Sequence, residues 1–280
     1  MKKLLLILAL LAPFAAWGQS LGGRASVGVD CKVFKGFHVT AEEEVRTGDS
    51  FSTLGSLRTS VGVSYKPMKY LKVGLGGTLI NPFKTGKSLS YEDTDGEKLT
   101  TSYTGFWAPR YRAFADVTGY LPLGDFQFSL RERLQLTHNA DLSLNPYQSA
   151  RNALALKSRI GVKYKRLDWL EPGLSFELRT ALNDPWGTVS GAEQTTDSGK
   201  VFYDYTPAGY THIYNNRYRF NLEADFKPAR HHTLTPYVLF DIVSEYSVDT
   251  NKAGTKLFKA TTGYTDGLFF QIGLGYVFSF

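Results

Sequence analysis

The chain has 280 residues, with 32 Lys and Arg against 26 Asp and Glu, a formal net charge of +6 and a mean hydropathy of −0.22, yet 14% of it is aromatic. No segment beyond the N-terminus approaches the roughly 20 apolar residues of a spanning helix, which excludes a helical membrane protein. A pI near 9.2 raises nucleic acid as a partner, but the basic residues alternate with apolar ones instead of clustering, so no nucleic acid is expected.

Met1-Lys2-Lys3 is a basic n-region, Leu4 to Ala16 an apolar stretch broken by Pro13, and Ala16-Trp17-Gly18 a small-x-small cleavage site. These features predict a secretory signal peptide over 1–18 and a mature domain over 19–280. Its removal takes away two lysines and no acids, so +6 falls to +4. The lone cysteine, Cys31, excludes an intramolecular disulfide and reads as a small apolar strand residue.

The mature chain then alternates apolar and polar residues in paired runs, the period of a strand with two different faces. Residues 25–33 and 37–45 form the first predicted hairpin, turning at Lys35-Gly36. The next run from 57–65 through Pro67-Met68-Lys69 to 71–79, then from 111–117 through Leu123-Gly124-Asp125 to 126–130. Two more join 154–164 to 174–178 and 218–226 to 238–242, and a last strand closes the chain. Between hairpins the links 48–55, 81–103, 139–150, 183–213 and 249–266 are long and polar. Short and long links in strict alternation are the mark of an outer-membrane barrel, with short periplasmic turns and long outer loops.

The predicted fold is therefore an all-β, antiparallel, up-and-down transmembrane barrel. The runs make about eleven strands, an awkward count where closure ordinarily takes an even number. About 12 strands are expected, with 10 as the alternative. The stretches 87–91, 99–104, 201–205 and 256–262 are candidates either for a missing strand or for hairpins rising above the membrane, and 21–34 either for irregular pairing or for a place inside the barrel.

Opposite the apolar stripes lie charges: Glu42, Glu44, Arg58, Arg110, Arg112, Asp116, Arg131, Arg133, Arg159, Glu177, Arg179, Arg217, Arg219, Glu223 and Asp241. Within a membrane they must line water or pair with one another. Interlocked, they plug a narrow barrel. Segregated to opposite walls, they make a constriction that selects solutes, and the arginine excess favours anions. Glu43 and Glu132 fall instead on the lipid-facing register, which predicts a place near the headgroups or a local bulge.

Chemistry-bearing motifs are sparse. His138, Asp141 and Ser143 lie too close along the chain to converge as a triad, and neither His-Glu-x-x-His nor Gly-x-Ser-x-Gly occurs. The acids Glu92, Asp93 and Asp95 lack calcium-loop spacing, so no metal, cofactor or catalytic residue is expected. Trp107, Trp169, Trp186, Tyr65, Tyr70, Tyr164 and Tyr246 fall near strand ends and read as interfacial girdles. The aromatic run Phe202-Tyr203-Asp204-Tyr205 with Tyr210 reads first as a cap over the barrel mouth and second as a platform for a sugar ring.

Residues 40–46 (Thr-Ala-Glu-Glu-Glu-Val-Arg), 61–66 with 69–74, and Tyr111-Arg112 with Leu130-Arg131-Glu132-Arg133-Leu134 resemble a family of Gram-negative outer-membrane barrels described only as a domain of unknown function. The resemblance implies a barrel and brings no site residues with it. The leading expectation is a narrow channel or transport-related component for a small solute, not an enzyme. The alternative is a closed barrel that is structural or binds through its loops, and a lipid or peptide hydrolase ranks third. Outer-membrane lipid and the barrel-assembly machinery are the expected partners, the latter reading a terminal aromatic signal, Phe278 and Phe280.

Overall fold

The computed structural model describes residues 20–48, 51–92, 98–142, 144, 149–195, 201–207, 209–253 and 256–280. Residues 1–18, the expected signal peptide, and the acids at 93 and 95 lie outside the described residues, as do the side chains of Glu92 and of 202–205. The strands in chain order are β1 (Ser20–Phe34), β2 (Phe37–Thr47), β3 (Leu54–Met68), β4 (Leu71–Glu92), β5 (Lys98–Phe106), β6 (Arg110–Leu123) and β7 (Phe126–Asn139). They continue with β8 (Asn152–Tyr164), β9 (Leu170–Asp184), β10 (Gly187–Thr195), β11 (Val201–Pro207), β12 (His212–Ala229), β13 (His232–Ala253) and β14 (Lys256–Ser279).

Eleven of these, β1-β2-β3-β4-β6-β7-β8-β9-β12-β13-β14, follow one another around a wall. Ten of its contacts are antiparallel. The eleventh closes the ring by pairing β1 with β14 in parallel, from Ser20 opposite Phe269 to Asp30 opposite Ser279. An odd count forces this, because the first and last strands then run the same way. Among the described residues the wall closes without a further strand; 21–34 supplies the irregular pairing, and the described wall departs from strict antiparallel order at that seam alone.

The five short turns lie at one end, here called the inner end. Gly36 and Gly124 turn there with φ of 80° and 58°, and a Cβ at Gly36 would meet the Lys66 carbonyl at 2.6 Å. At the outer end the candidate stretches 87–91, 99–104, 201–205 and 256–262, within the links 81–103, 183–213 and 249–266, are strands of hairpins that rise past the wall. β4 runs past the wall to pair with β5, β10 pairs with β11, and β13 with β14 stay paired out to Ala253 and Lys256. These stretches carry no continuous apolar stripe because no lipid faces them. Pairing still satisfies their backbone groups, and polar strands of this kind resemble loops in a hydropathy pattern.

Burial in the wall is inverted relative to a soluble protein. Val27, Val61, Leu130 and Ile160, on the outward register, are 60%, 59%, 53% and 57% exposed, whereas inward Glu177 and Asp241 are 3% and 2% exposed. Apolar surface outside and charge inside is the arrangement a hydrocarbon surround selects. Among the described residues no helix is long and apolar enough to cross a membrane. Rings gather at both rims. Trp169 packs edge-on to Phe226 at 6.0 Å at the inner end, and Trp186 stacks on Tyr246 at 5.4 Å at the outer end.

Candidate functional site

Period-two geometry sends alternate side chains inward, and strand register decides which of them meet. On β9 and its neighbours, cations from three strands converge on Glu177. Arg159 of β8 lies 2.7 Å away, Arg131 of β7 reaches past β8 to 3.0 Å, and Arg219 of β12 and Lys157 of β8 stand at 3.9 and 4.0 Å. Arg219 also forks onto Asp241 of β13 through two hydrogen bonds of 2.6 and 2.7 Å, with Arg217 at 3.9 Å. Two-point guanidinium–carboxylate bonds are the strongest geometry open to such a pair.

The belt continues around the ring. Arg133 of β7 donates twice to Asp116 of β6, at 2.5 and 3.0 Å, and its guanidinium lies 4.1 Å from the centre of the Phe114 ring. On β2 and β3, Glu44 takes Arg46 at 2.5 Å and Arg58 at 3.8 Å. Arg24 of β1 also faces inward and is only 9% exposed. Nearer the inner end, Lys163 bridges Glu223 at 2.8 Å and Asp225 at 2.6 Å, and Lys165 and Lys227 both donate to Glu171.

Acids and bases therefore interlock instead of facing each other from opposite walls. Below the belt is a cavity of about 440 Å³ bordered by Lys72, Asp116, Tyr120, Arg131, Lys163 and Glu223. Above it is another of about 270 Å³, bordered by Arg110, Arg112 and Arg179. Glu42 borders a third, smaller than the first, beside Arg133. Luminal glycines make room for rings: a Cβ on Gly273 would lie 2.1 Å from Tyr237, and one on Gly76 would lie 2.4 Å from Phe114.

Several inward residues escaped the sequence reading. Arg24 lies just before the first alternating run, and extending the parity of Ala25, Val27 and Val29 by one residue finds it. Lys163 and Glu171 escaped it too, although they continue the inward parity of Lys157 and Arg159 and of Glu177 and Arg179. Glu132 needs a correction: β7 pairs without a break opposite Val117 and Ser158, so there is no bulge. With Phe126, Phe128 and Leu130 before it on the outward stripe and Leu134 and Leu136 after it, Glu132 sits in mid-stripe, not at a rim. Ser158 donates to it at 2.6 Å. His138 hydrogen-bonds Asn152 at 2.8 Å and Trp107 donates to Asp141 at 2.6 Å, so those loop groups are engaged locally. No group of His, Cys, Asp and Glu among the described residues has the arrangement of a metal site.

Wall, inverted burial and charged lumen together define an outer-membrane-type β-barrel. The chain belongs to the family described as "Protein of unknown function (DUF2490)", whose model matches residues 25–279. No curated protein matches it in sequence. Among solved structures it is similar to OmpT of Vibrio cholerae in its outer-membrane expressed form, at 16% identity and a TM-score of 0.35 over 85% of this chain and 60% of that one. The in-vitro folded form of the same outer membrane protein gives 16%, 0.33, 87% and 61%. The present chain thus spans about six-tenths of the length of the protein it matches.

Proposed function

We propose that this protein is exported through a cleaved signal peptide, resides in the outer membrane with its short turns in the periplasm, and has a lumen closed at rest by its ion-pair belt. The observation that carries the reading is the burial of the luminal carboxylates. In a water-filled pore Glu177 and Asp241 would be wet, yet they are among the most buried charges of the molecule. An eleven-strand wall also lies nearer the small barrels filled by side chains than the 16–18-strand porins that hold an aqueous channel. The closed barrel is therefore preferred over the open channel, and its role is to present binding surfaces at the cell exterior or to serve the envelope structurally. Catalysis forms no part of this reading.

Conductance of the purified protein in a planar bilayer tests it. The wild type is expected to show no stable open step, and the double variant Glu177→Gln/Asp241→Asn, with the belt broken, to show frequent openings. A steady ohmic conductance from the wild type would refute closure.

A further inference from the structure

The cavity above the belt differs from the belt in one respect: its arginines are unmatched. Arg110 and Arg112 of β6 and Arg179 of β9 all border it. Among the described residues none of the three forms an ion pair, whereas Arg131, Arg133, Arg159 and Arg219 below each hold a carboxylate. Arg112 has only the Thr137 hydroxyl, at 3.3 Å. The two acids bordering the cavity are engaged elsewhere: Asp184 accepts from the Tyr214 hydroxyl at 2.8 Å, and Glu245 faces Arg217 at 3.8 Å.

A second, independent feature points the same way. Asn216 borders the cavity at 3% exposure, and its amide oxygen has no partner. The two ends of an amide are exchanged by a simple flip, so this side chain can present either an acceptor or two N–H donors to whatever fills the space. Ala150 and Ala153 border the cavity without filling it. Clustered guanidinium groups repel one another, and an anion among them turns that repulsion into attraction. The planar fork of each suits the oxygens of a carboxylate or phosphate.

We propose that this outer cavity binds a small oxyanion, gripped by Arg112 and Arg179 with Arg110 nearer the mouth. The inference does not rest on the lumen being closed, since a blind pocket and a constriction can hold an anion equally well.

The test is titration calorimetry of the folded barrel in detergent at low ionic strength, with sodium phosphate and, separately, sodium acetate as probes. Saturable one-site binding of either supports the proposal, and the better ligand shows whether the site prefers tetrahedral or planar oxyanions. Arg112→Gln and Arg179→Gln are each expected to weaken it at least about tenfold, or about 1.4 kcal/mol. Arg166→Gln, in an exposed inner turn, is expected to leave it unchanged. Should the variants fail to fold, as judged by heat-modifiable gel migration, arginine modification of the wild type by phenylglyoxal replaces them. The bound probe should then protect Arg112 and Arg179, located by mass spectrometry. No saturable binding of either probe, binding that survives both substitutions, or absence of protection would overturn the site.

Discussion

Glu177 and Glu132 stand only two strands apart on one wall, one inward and one outward, and their environments give opposite consequences for the same carboxylate. Glu177 compensates Arg131, Arg159, Lys157 and Arg219, so Glu177→Gln leaves buried cations without a counter-charge. Removing one partner of a buried pair costs about 3–5 kcal/mol, and that loss should appear in urea unfolding of the barrel from lipid vesicles. Glu132 faces hydrocarbon with a single hydroxyl for company, so Glu132→Leu should raise stability by about 1 kcal/mol on the same assay, a lipid-facing acid costing less than a base at that depth. An unchanged midpoint in the first variant, or a fall in the second, would contradict this assignment of faces. The side each charge occupies could be read from parity alone. The partner could not, because Arg131 passes over a whole strand to reach Glu177, and no pattern in the sequence encodes that reach. The luminal glycines were legible only as small residues; their purpose, space for Tyr237 and Phe114, needs the facing strand. Gly273→Val should accordingly slow folding into vesicles, and Tyr237→Ala in the same chain should restore it.

At the level of strands, alternation located every hairpin of the wall, because lipid on one side and charge on the other impose a period of two on each crossing segment. Beyond the wall, where water lies on both faces and the period has no apolar component, it could offer 87–91, 99–104, 201–205 and 256–262 only as candidate strands or hairpins, and it did not find β10. Nor could it settle how an odd set of strands closes. That depends on β1 and β14, neither of which shows in its own sequence that its neighbour runs parallel. The seam has a direct chemical test. Val27 pairs with Tyr276 across it, both on the outward register. In a Cys31→Ser background, Val27→Cys/Tyr276→Cys should cross-link efficiently with a short bifunctional methanethiosulfonate, and the folded barrel should then resist separation of its ends. Val27→Cys/Phe270→Cys, six positions out of register, should not. Equal cross-linking of the two pairs would mean that β1 does not hold this register.

For the molecule as a whole, the odd strand count separates the two ends of the barrel sequence. In an even-stranded barrel the first strand begins where the last one ends. Here Ser20 enters the wall at the outer rim, opposite Phe269, while β14 finishes beside the short turns, where Ser279 donates its N–H to His231 and Phe280 donates to Asp30. If the short turns face the periplasm, the start of β1 shares the cell surface with the tall hairpins and with the mouth of the arginine cavity. An epitope inserted between Gln19 and Ser20 should then be labelled on intact cells, whereas one inserted in the Gly124 turn should be labelled only after the outer membrane is permeabilised. Labelling of both sites only after permeabilisation would require β1 to start at the inner end, which parallel closure forbids. The reverse pattern, with the Gly124 turn exposed, would invert the barrel, direct the unmatched arginines toward the periplasm, and change which compartment supplies the anion.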